Sequence, residues 1–189
     1  MGHYDTEEGI EEYIKHSEKW DGKQLIRILL QHLPESSTLL ELGMGPGRDF
    51  DVLKKAYKVT GSDKSQVFLD RFRQKNKDVE LLKLDAVTIP TDRKFDCIYS
   101  NKVLQHLTKE DLKKSLQRQK EILNANGIAF HALWRGDKIE EKKGLLFTYY
   151  QINGLKKIIG DDFDILDIQI FTEIEKDDSI YFILSKSTI

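Results

Sequence analysis

Three glycines at alternate positions, Gly43, Gly45 and Gly47, follow directly on a short apolar run in LLELGMGPGRDF. Glycine takes left-handed backbone conformations at no steric cost and lets a ligand approach the main chain. Such a cluster after a buried strand specifies a tight strand-to-helix turn that opens onto a ligand. The chain downstream repeats the strand-helix unit. YKVTGSD reads as a strand, and SQVFLDRFRQK as a helix with Ser65 at its N-cap. VELLKLD and FDCIYSN read as two further strands. Thr108 and Asp111 open a helix in a capping-box-like arrangement, with Leu112, Leu116 and Leu123 on one side. That helix is predicted to end at NANG, with Gly127 in the left-handed cap, before IAFHALW forms a fifth strand.

Residues 5–33 read as helix, with Leu25, Ile26, Leu29 and Leu33 at helical spacing and Pro34 as the stop. After a charged loop, FTYYQINGLKKIIG reads as a helix weakened by Gly154. Two late strands, FDILDIQIFTE and SIYFILSK, have only IEKDD between them and should pair antiparallel. Repeated alternation ahead of a terminal hairpin predicts an α/β fold: a mainly parallel sheet with helices on both faces. Ligands of such sheets sit at the carboxyl ends of the strands. The loops of interest therefore follow Leu42, Ser62, Leu84, Ser100 and Leu133.

The 189 residues fit one domain, and a net charge of −2 supplies no positive field for nucleic acid. Cys97 is the only cysteine, inside an apolar run, so no disulfide framework or thiolate metal cluster is expected. No apolar stretch approaches the roughly 18 residues of a membrane span, and no secretory signal opens the chain. A cytoplasmic protein is the expectation. The opening MGHYDT satisfies the short myristoylation pattern through Gly2 and Thr6, a pattern often met by chance.

The loop residues carry chemistry. A dinucleotide fold uses G-x-G-x-x-G to set a pyrophosphate on a helix N-terminus. Here the third glycine arrives one residue early, as GMGPG, and Glu41 precedes the loop closely. A carboxylate there suits a ligand ammonium better than a pyrophosphate. Asp63 ends the second strand, where a carboxylate can accept both hydroxyls of a ribose. Asp85 ends the third, within reach of an adenine amino group.

Together these stretches resemble the class I S-adenosylmethionine-dependent methyltransferases. LLELGMGPGRD is similar to their first motif, VTGSD to the second and LLKLDAV to the third. FDCIYSNKVLQHL resembles the fourth and LNANGIAFHA the fifth. The resemblance implies a Rossmann-like doubly wound sheet of seven strands, six parallel and the last antiparallel. It implies one domain over residues 1–189: an N-terminal helical lid (1–33), a cofactor-binding core (34–135), and a C-terminal helix and strand hairpin (136–189). S-adenosylmethionine would be the cofactor and S-adenosylhomocysteine its product. Gly43, Gly45 and Gly47 would border the methionine part, and Glu41 would help hold its ammonium. Asp63 would bind the ribose, and Asp85 with Ala86 the adenine edge. Ser100 and Asn101 would lie beside the methyl group. Lys64 departs from the pattern, since relatives more often place an apolar residue there against the adenine.

The methyl acceptor is less marked. His106 follows the fourth strand and has either a chemical or a loop-fixing role; His131, inside the fifth strand, reads as a satisfied core or rim residue. Trp134 and Arg135 end the fifth strand, where an arginine binds a substrate carboxylate or phosphate or lies on the surface. Tyr13 and Trp20 belong either to a lid over the substrate or to ordinary packing. The fourth motif reads SNKV, not the Asn/Asp-Pro-Pro-Tyr/Phe of enzymes that methylate planar amino groups in DNA or glutamine. A small-molecule acceptor is expected, with no nucleic-acid or membrane partner and no resident metal. Two rivals remain: a non-catalytic S-adenosylmethionine-binding module, told apart by turnover, and a nicotinamide-dependent oxidoreductase, which the glycine spacing, Glu41 and Asp85 oppose.

Overall fold

Leu39 and Leu40 are both fully buried, yet they belong to separate cores on opposite faces of one sheet. Successive strand side chains point to opposite faces, so a strand covered on both sides must be apolar throughout. The computed structural model, which describes residues 6–16 and 21–186, repeats this pattern along the central strands. Cys97, Tyr99 and Phe130 face one core, and Ile98 and Ala129 the other.

The elements run in order α1 (Glu7–His16), α2 (Lys23–Leu29), β1 (Thr38–Leu42), α3 (Arg48–Leu53), β2 (Lys58–Asp63), α4 (Gln66–Lys75), β3 (Glu80–Lys83), β4 (Phe95–Asn101), α5 (Lys109–Ile122), β5 (Leu123–Trp134), β6 (Ile139–Lys142), β7 (Leu145–Thr148), α6 (Ile152–Ile159), β8 (Phe163–Phe171) and β9 (Ser179–Lys186). A 3-10 turn, Leu104–His106, lies between β4 and α5. The main sheet has the order β3-β2-β1-β4-β5-β9-β8. Neighbours from β3 to β5 pair parallel, and β9 runs antiparallel to both β5 and β8. Six strands thus share one direction and the last in sequence opposes them, as expected. The strand order reverses between β1 and β4, so their carboxyl ends open a crevice. Helices α5 and α6 supply Leu112, Leu116, Leu155 and Ile159 to one core, and α2 supplies Leu25, Ile26 and Leu29 to the other.

Several boundaries differ from the expectation. The described part of 5–33 holds two helices, not one, and Trp20 and Gly2 lie outside the described residues. Helix α5 stops at Ile122, because Leu123 is already extended and pairs with Phe95. Asn126, at φ 64°, takes the left-handed conformation in place of Gly127. Phe147 and Thr148 belong to a small β6–β7 hairpin, with α6 beginning only at Ile152.

The two helix N-caps, Ser65 and Thr108, are as read from the sequence. The Thr108 hydroxyl accepts from the Asp111 amide at 3.1 Å and donates to the Asp111 carboxylate at 2.9 Å. Thr108→Ala removes both bonds and is expected to lower stability by about 1 kcal/mol. Urea unfolding reads this directly, and an unchanged midpoint would refute the cap.

Candidate active site

The crevice at the β1/β4 switch is a cavity of about 470 Å³, joined to a recess of about 70 Å³ through Tyr13, Gly43, Asn101 and Lys102. The glycine turn forms its floor. Gly43 and Gly45 hold φ of 64° and 51°, a region costly for other residues. A Cβ at Gly43 would lie 2.6 Å from the Val103 side chain, so a larger residue would close the crevice.

Four strand ends deliver the polar groups. Asp63, at the end of β2, accepts the Gly45 amide at 2.9 Å through one oxygen and the Ser65 amide at 2.8 Å through the other. One carboxylate therefore fixes the glycine turn and caps the approach to α4. Burial pushes its pKa up, against these amide bonds. Asp85 follows β3 and accepts from the amides of Val87 and Thr88 at 2.9 and 3.2 Å, with the Lys64 ammonium 3.4 Å away. Burial opposes ionisation of Asp85, but these donors outweigh it and hold its pKa below the usual range.

Glu41 is 3% exposed, and its Oε2 is buried without a hydrogen-bond partner in the recess. Burial raises its pKa well above the carboxylate range, and the charges of Asp49, Asp63 and Asp51 add to the effect. Asp49 accepts from the Gly22 amide at 2.9 Å, the Tyr99 hydroxyl at 2.8 Å and the Asn101 amide nitrogen at 3.1 Å. That set orients Asn101, whose buried Oδ1 has no partner.

The other wall is aromatic. Beyond β4, His106 and Gln105 line the cavity with Trp134 and the hairpin residues Leu145 and Phe147. His106 Nδ1 lies 2.8 Å from the Leu146 carbonyl, which only accepts, so Nδ1 carries the proton. Burial lowers the ring's pKa, so the neutral form, with its lone pair on Nε2, dominates at neutral pH. Gln105 is 2% exposed, and its Oε1 has no partner. Lys102, in the left-handed region at φ 57°, reaches away from β4. Its ammonium donates to the Glu173 carboxylate at 2.7 Å, to Ser179 at 2.8 Å and to the Leu133 carbonyl at 3.2 Å, 3.9 Å from the centre of the Trp134 ring.

Helix α1 lies over the glycine turn. Tyr13 packs edge-on against Phe68 at 5.8 Å, and the Arg48 guanidinium donates to the Ile14 carbonyl at 2.9 Å. Arg71 of α4 pairs with Glu7 and Glu11, and Lys143, between β6 and β7, pairs with Glu12. The helix and the hairpin thus meet across one side of the crevice.

Of the residues singled out in the sequence, Gly43, Gly45, Asp63, Lys64, Asp85, Ala86, Asn101, His106, Tyr13 and Trp134 converge on the cavity, and Glu41 on the recess. Three do not. Gly47 caps α3 at φ 83°, and a Cβ there would lie 2.1 Å from the Phe72 ring, so its role is packing. Ser100 is fully buried and bonds to His131, on the opposite face of β4 from Asn101. Arg135 turns to the β8–β9 loop, where it donates to the Asp177 carbonyl at 3.0 Å. Gln105, Asp49, Lys102, Phe68 and Phe147 were not anticipated. Lys102 and Gln105 lie inside FDCIYSNKVLQHL, the stretch that resembles the fourth motif, and that is the signal that marks them. His131 is a satisfied core residue, as expected, with burial taking its pKa down to about 3.

A methyltransferase-domain family model matches residues 39–127. A 96-residue stretch, 47% of the chain, is 31% identical to an uncharacterised 37.1 kDa protein in transposon TN4556 of Streptomyces fradiae. The match spans only 27% of that relative's length. Among solved structures, an S-adenosylmethionine-dependent methyltransferase from Clostridium acetobutylicum ATCC 824 superposes with a TM-score of 0.77 at 16% identity, over 94% of this chain and 97% of that one. A 1,6-didemethyltoxoflavin-N1-methyltransferase from Burkholderia thailandensis, with its substrate and S-adenosylhomocysteine bound, gives 0.76 at 16% identity, over 95% of this chain and 87% of that one. At such identities the likeness is one of fold.

Proposed function

We propose that this chain, which belongs to the class I S-adenosylmethionine-dependent methyltransferases, transfers a methyl group from S-adenosylmethionine to a small-molecule nucleophile. One observation carries the reading: acids at the ends of β1, β2 and β3 converge with the glycine turn on a single crevice. The orphaned oxygen of Glu41 is a buried acceptor that suits an ammonium, which fits the amino-acid end of the cofactor. Asp63 would hold the ribose, with Asp85 and Ala86 at the adenine edge. When bound, S-adenosylmethionine supplies a methyl carbon whose bond to sulfur breaks as the bond to the nucleophile forms.

The protein's part is mainly alignment and exclusion of water. Asn101, oriented by Asp49, borders the place where turn and cavity meet. The aromatic wall of Trp134, Phe147 and Tyr13 favours a compact, partly apolar acceptor, in keeping with a small molecule. His106, neutral and with its Nδ1 proton engaged, lines the cavity as the candidate general base for a proton leaving the nucleophile. We assign α1, which lies over the glycine turn, as the part of the expected 1–33 lid that admits the ligand; α2 packs into the core. Among the described residues no helix is long and apolar enough to cross a membrane. A cytoplasmic enzyme without a nucleic-acid partner is our reading, and the net charge of −2 favours the second part of it.

Calorimetric titration with S-adenosylmethionine and with S-adenosylhomocysteine tests the reading. Micromolar affinity for both is expected, followed by S-adenosylhomocysteine formation when panels of small amines, thiols and carboxylic acids are offered. A folded protein that binds neither ligand would overturn it.

A further inference from the structure

Behind the crevice lies an unbroken file of buried polar groups that touches no solvent. Ser100, Ser115, Gln119 and His131 are all fully buried. Ser100 Oγ is 2.8 Å from His131 Nδ1, and His131 Nε2 is 2.7 Å from Gln119 Oε1. Gln119 Nε2 donates to Ser115 Oγ at 3.1 Å, and Ser115 Oγ donates to the Ala86 carbonyl at 2.6 Å.

The direction of every bond follows from the last one. The Ala86 carbonyl can only accept, so the single Ser115 hydroxyl proton points at it. Ser115 must then accept from Gln119, which fixes the carboxamide with nitrogen toward Ser115 and oxygen toward His131; the flipped amide would set two acceptors against each other. His131 therefore carries its proton on Nε2, and its bare Nδ1 accepts from Ser100. Burial keeps the ring uncharged, down to about pH 3. All donors point one way, an arrangement in which each bond polarises the next.

The two ends of the file are informative. Ser100 precedes Asn101 at the end of β4, and Ala86 follows Asp85 in the loop after β3; Asn101 and Ala86 both line the cavity. Between β4 and β3 in the sheet lie β1 and β2, so the file reaches around the core through α5 to join strand ends that do not touch. We propose that Ser115, Gln119 and His131 are positioning residues that brace the Asp85–Ala86 loop from α5 and so set the affinity for the adenine end of the ligand. This rests on the S-adenosylmethionine reading. The brace contributes nothing to the ligand by contact. It holds the Ala86 carbonyl, and with it the adjacent edge of the cavity, in the one place the neutral imidazole and fixed carboxamide allow.

Ser115→Ala is the least disruptive probe, since it deletes one oxygen on a helix face that is otherwise unaltered. Titration with S-adenosylhomocysteine should give a dissociation constant about tenfold higher than wild type. Hydrogen exchange of the unliganded protein should speed up in residues 84–89, where the Val87 and Thr88 amides bond to Asp85, and Ser115→Thr should restore both readings. Gln119→Leu should reproduce the alanine variant. A Ser115→Ala protein with wild-type affinity and wild-type exchange in 84–89 would overturn the brace, whatever its melting temperature. If the wild-type protein bound no S-adenosylhomocysteine, the functional reading would fall, and the exchange measurement alone would still decide whether the brace exists.

Discussion

Glu41→Gln is expected to stabilise the unliganded protein while weakening its hold on S-adenosylmethionine. A carboxylate at 3% exposure with an oxygen left unpartnered carries a cost whichever way it is resolved. Ionised, it bears an unpaired buried charge beside Asp49 and Asp63; protonated at neutral pH, it has taken up a proton that the unfolded chain would not bind. Glutamine has the same shape and neither cost. A higher melting temperature than wild type is expected at pH 7. The sign with pH is fixed by the raised pKa. For a folded-state value above the unfolded one, the group's contribution is most favourable below the unfolded pKa and is lost as pH rises through the folded one. The melting-temperature difference between variant and wild type should therefore grow from acid toward neutral pH. Binding should move the other way: about tenfold weaker for S-adenosylmethionine, whose ammonium loses its counter-charge, and unchanged for 5′-methylthioadenosine, which has no ammonium. A lower melting temperature in the variant, or equal losses for the two ligands, would remove Glu41 from the ammonium site.

That a stabilising substitution sits in the first quoted motif says why so much of this crevice was legible. Sites hold groups that folding alone would reject, and an acid inside an apolar run is visible without coordinates. The main sheet was legible for a related reason. Its central strands β1, β4 and β5 are covered on both faces and are written largely as apolar runs, β1 ended by Gly43, while β2 and β3 are marked by the acids at their ends, Asp63 and Asp85. The β6–β7 hairpin has no such signature. IEEK and LLFT pair only with each other and are mostly exposed or half-exposed, so the first read as loop and the end of the second, Phe147 and Thr148, was absorbed into the next helix. Ser100 failed for a subtler reason. Position at a strand end is plain in sequence, but the face is decided by a single residue of register. Asn101 turns to the crevice and Ser100 to the core, and neighbouring residue types do not distinguish them. Gly47 was expected to border the ligand as part of a tight turn, but the space above it is filled by Phe72 from α4, a contact between distant segments. Gln119 and Ser115 were not singled out, since nothing in the sequence ties them to the His131 they turn toward in a different element.

Asp63→Ala is expected to weaken S-adenosylhomocysteine binding by about 3 kcal/mol, more than loss of ribose contacts alone would suggest. The difference lies in the apo geometry. One carboxylate oxygen already holds the Gly45 amide at 2.9 Å and the other the Ser65 amide at 2.8 Å. Its removal frees the glycine turn at the same moment that it deletes an acceptor for the ligand. Asparagine should rescue little. It keeps one acceptor, but its NH₂ must then face either the Gly45 or the Ser65 N–H, donor against donor. Simple loss of charge would predict the reverse, with Asparagine close to wild type because ribose hydroxyls can bond to a neutral amide. Burial adds a pH signature: the pKa of Asp63 is raised, so as pH falls its carboxylate is lost before an ordinary aspartate's would be, and affinity should decline with it. Both variants must first give a native circular dichroism spectrum. If Asp63→Asn then binds as wild type while Asp63→Ala does not, the carboxylate serves the ligand alone and the turn is held by its own glycines. If both bind as wild type, the ribose lies against another acid.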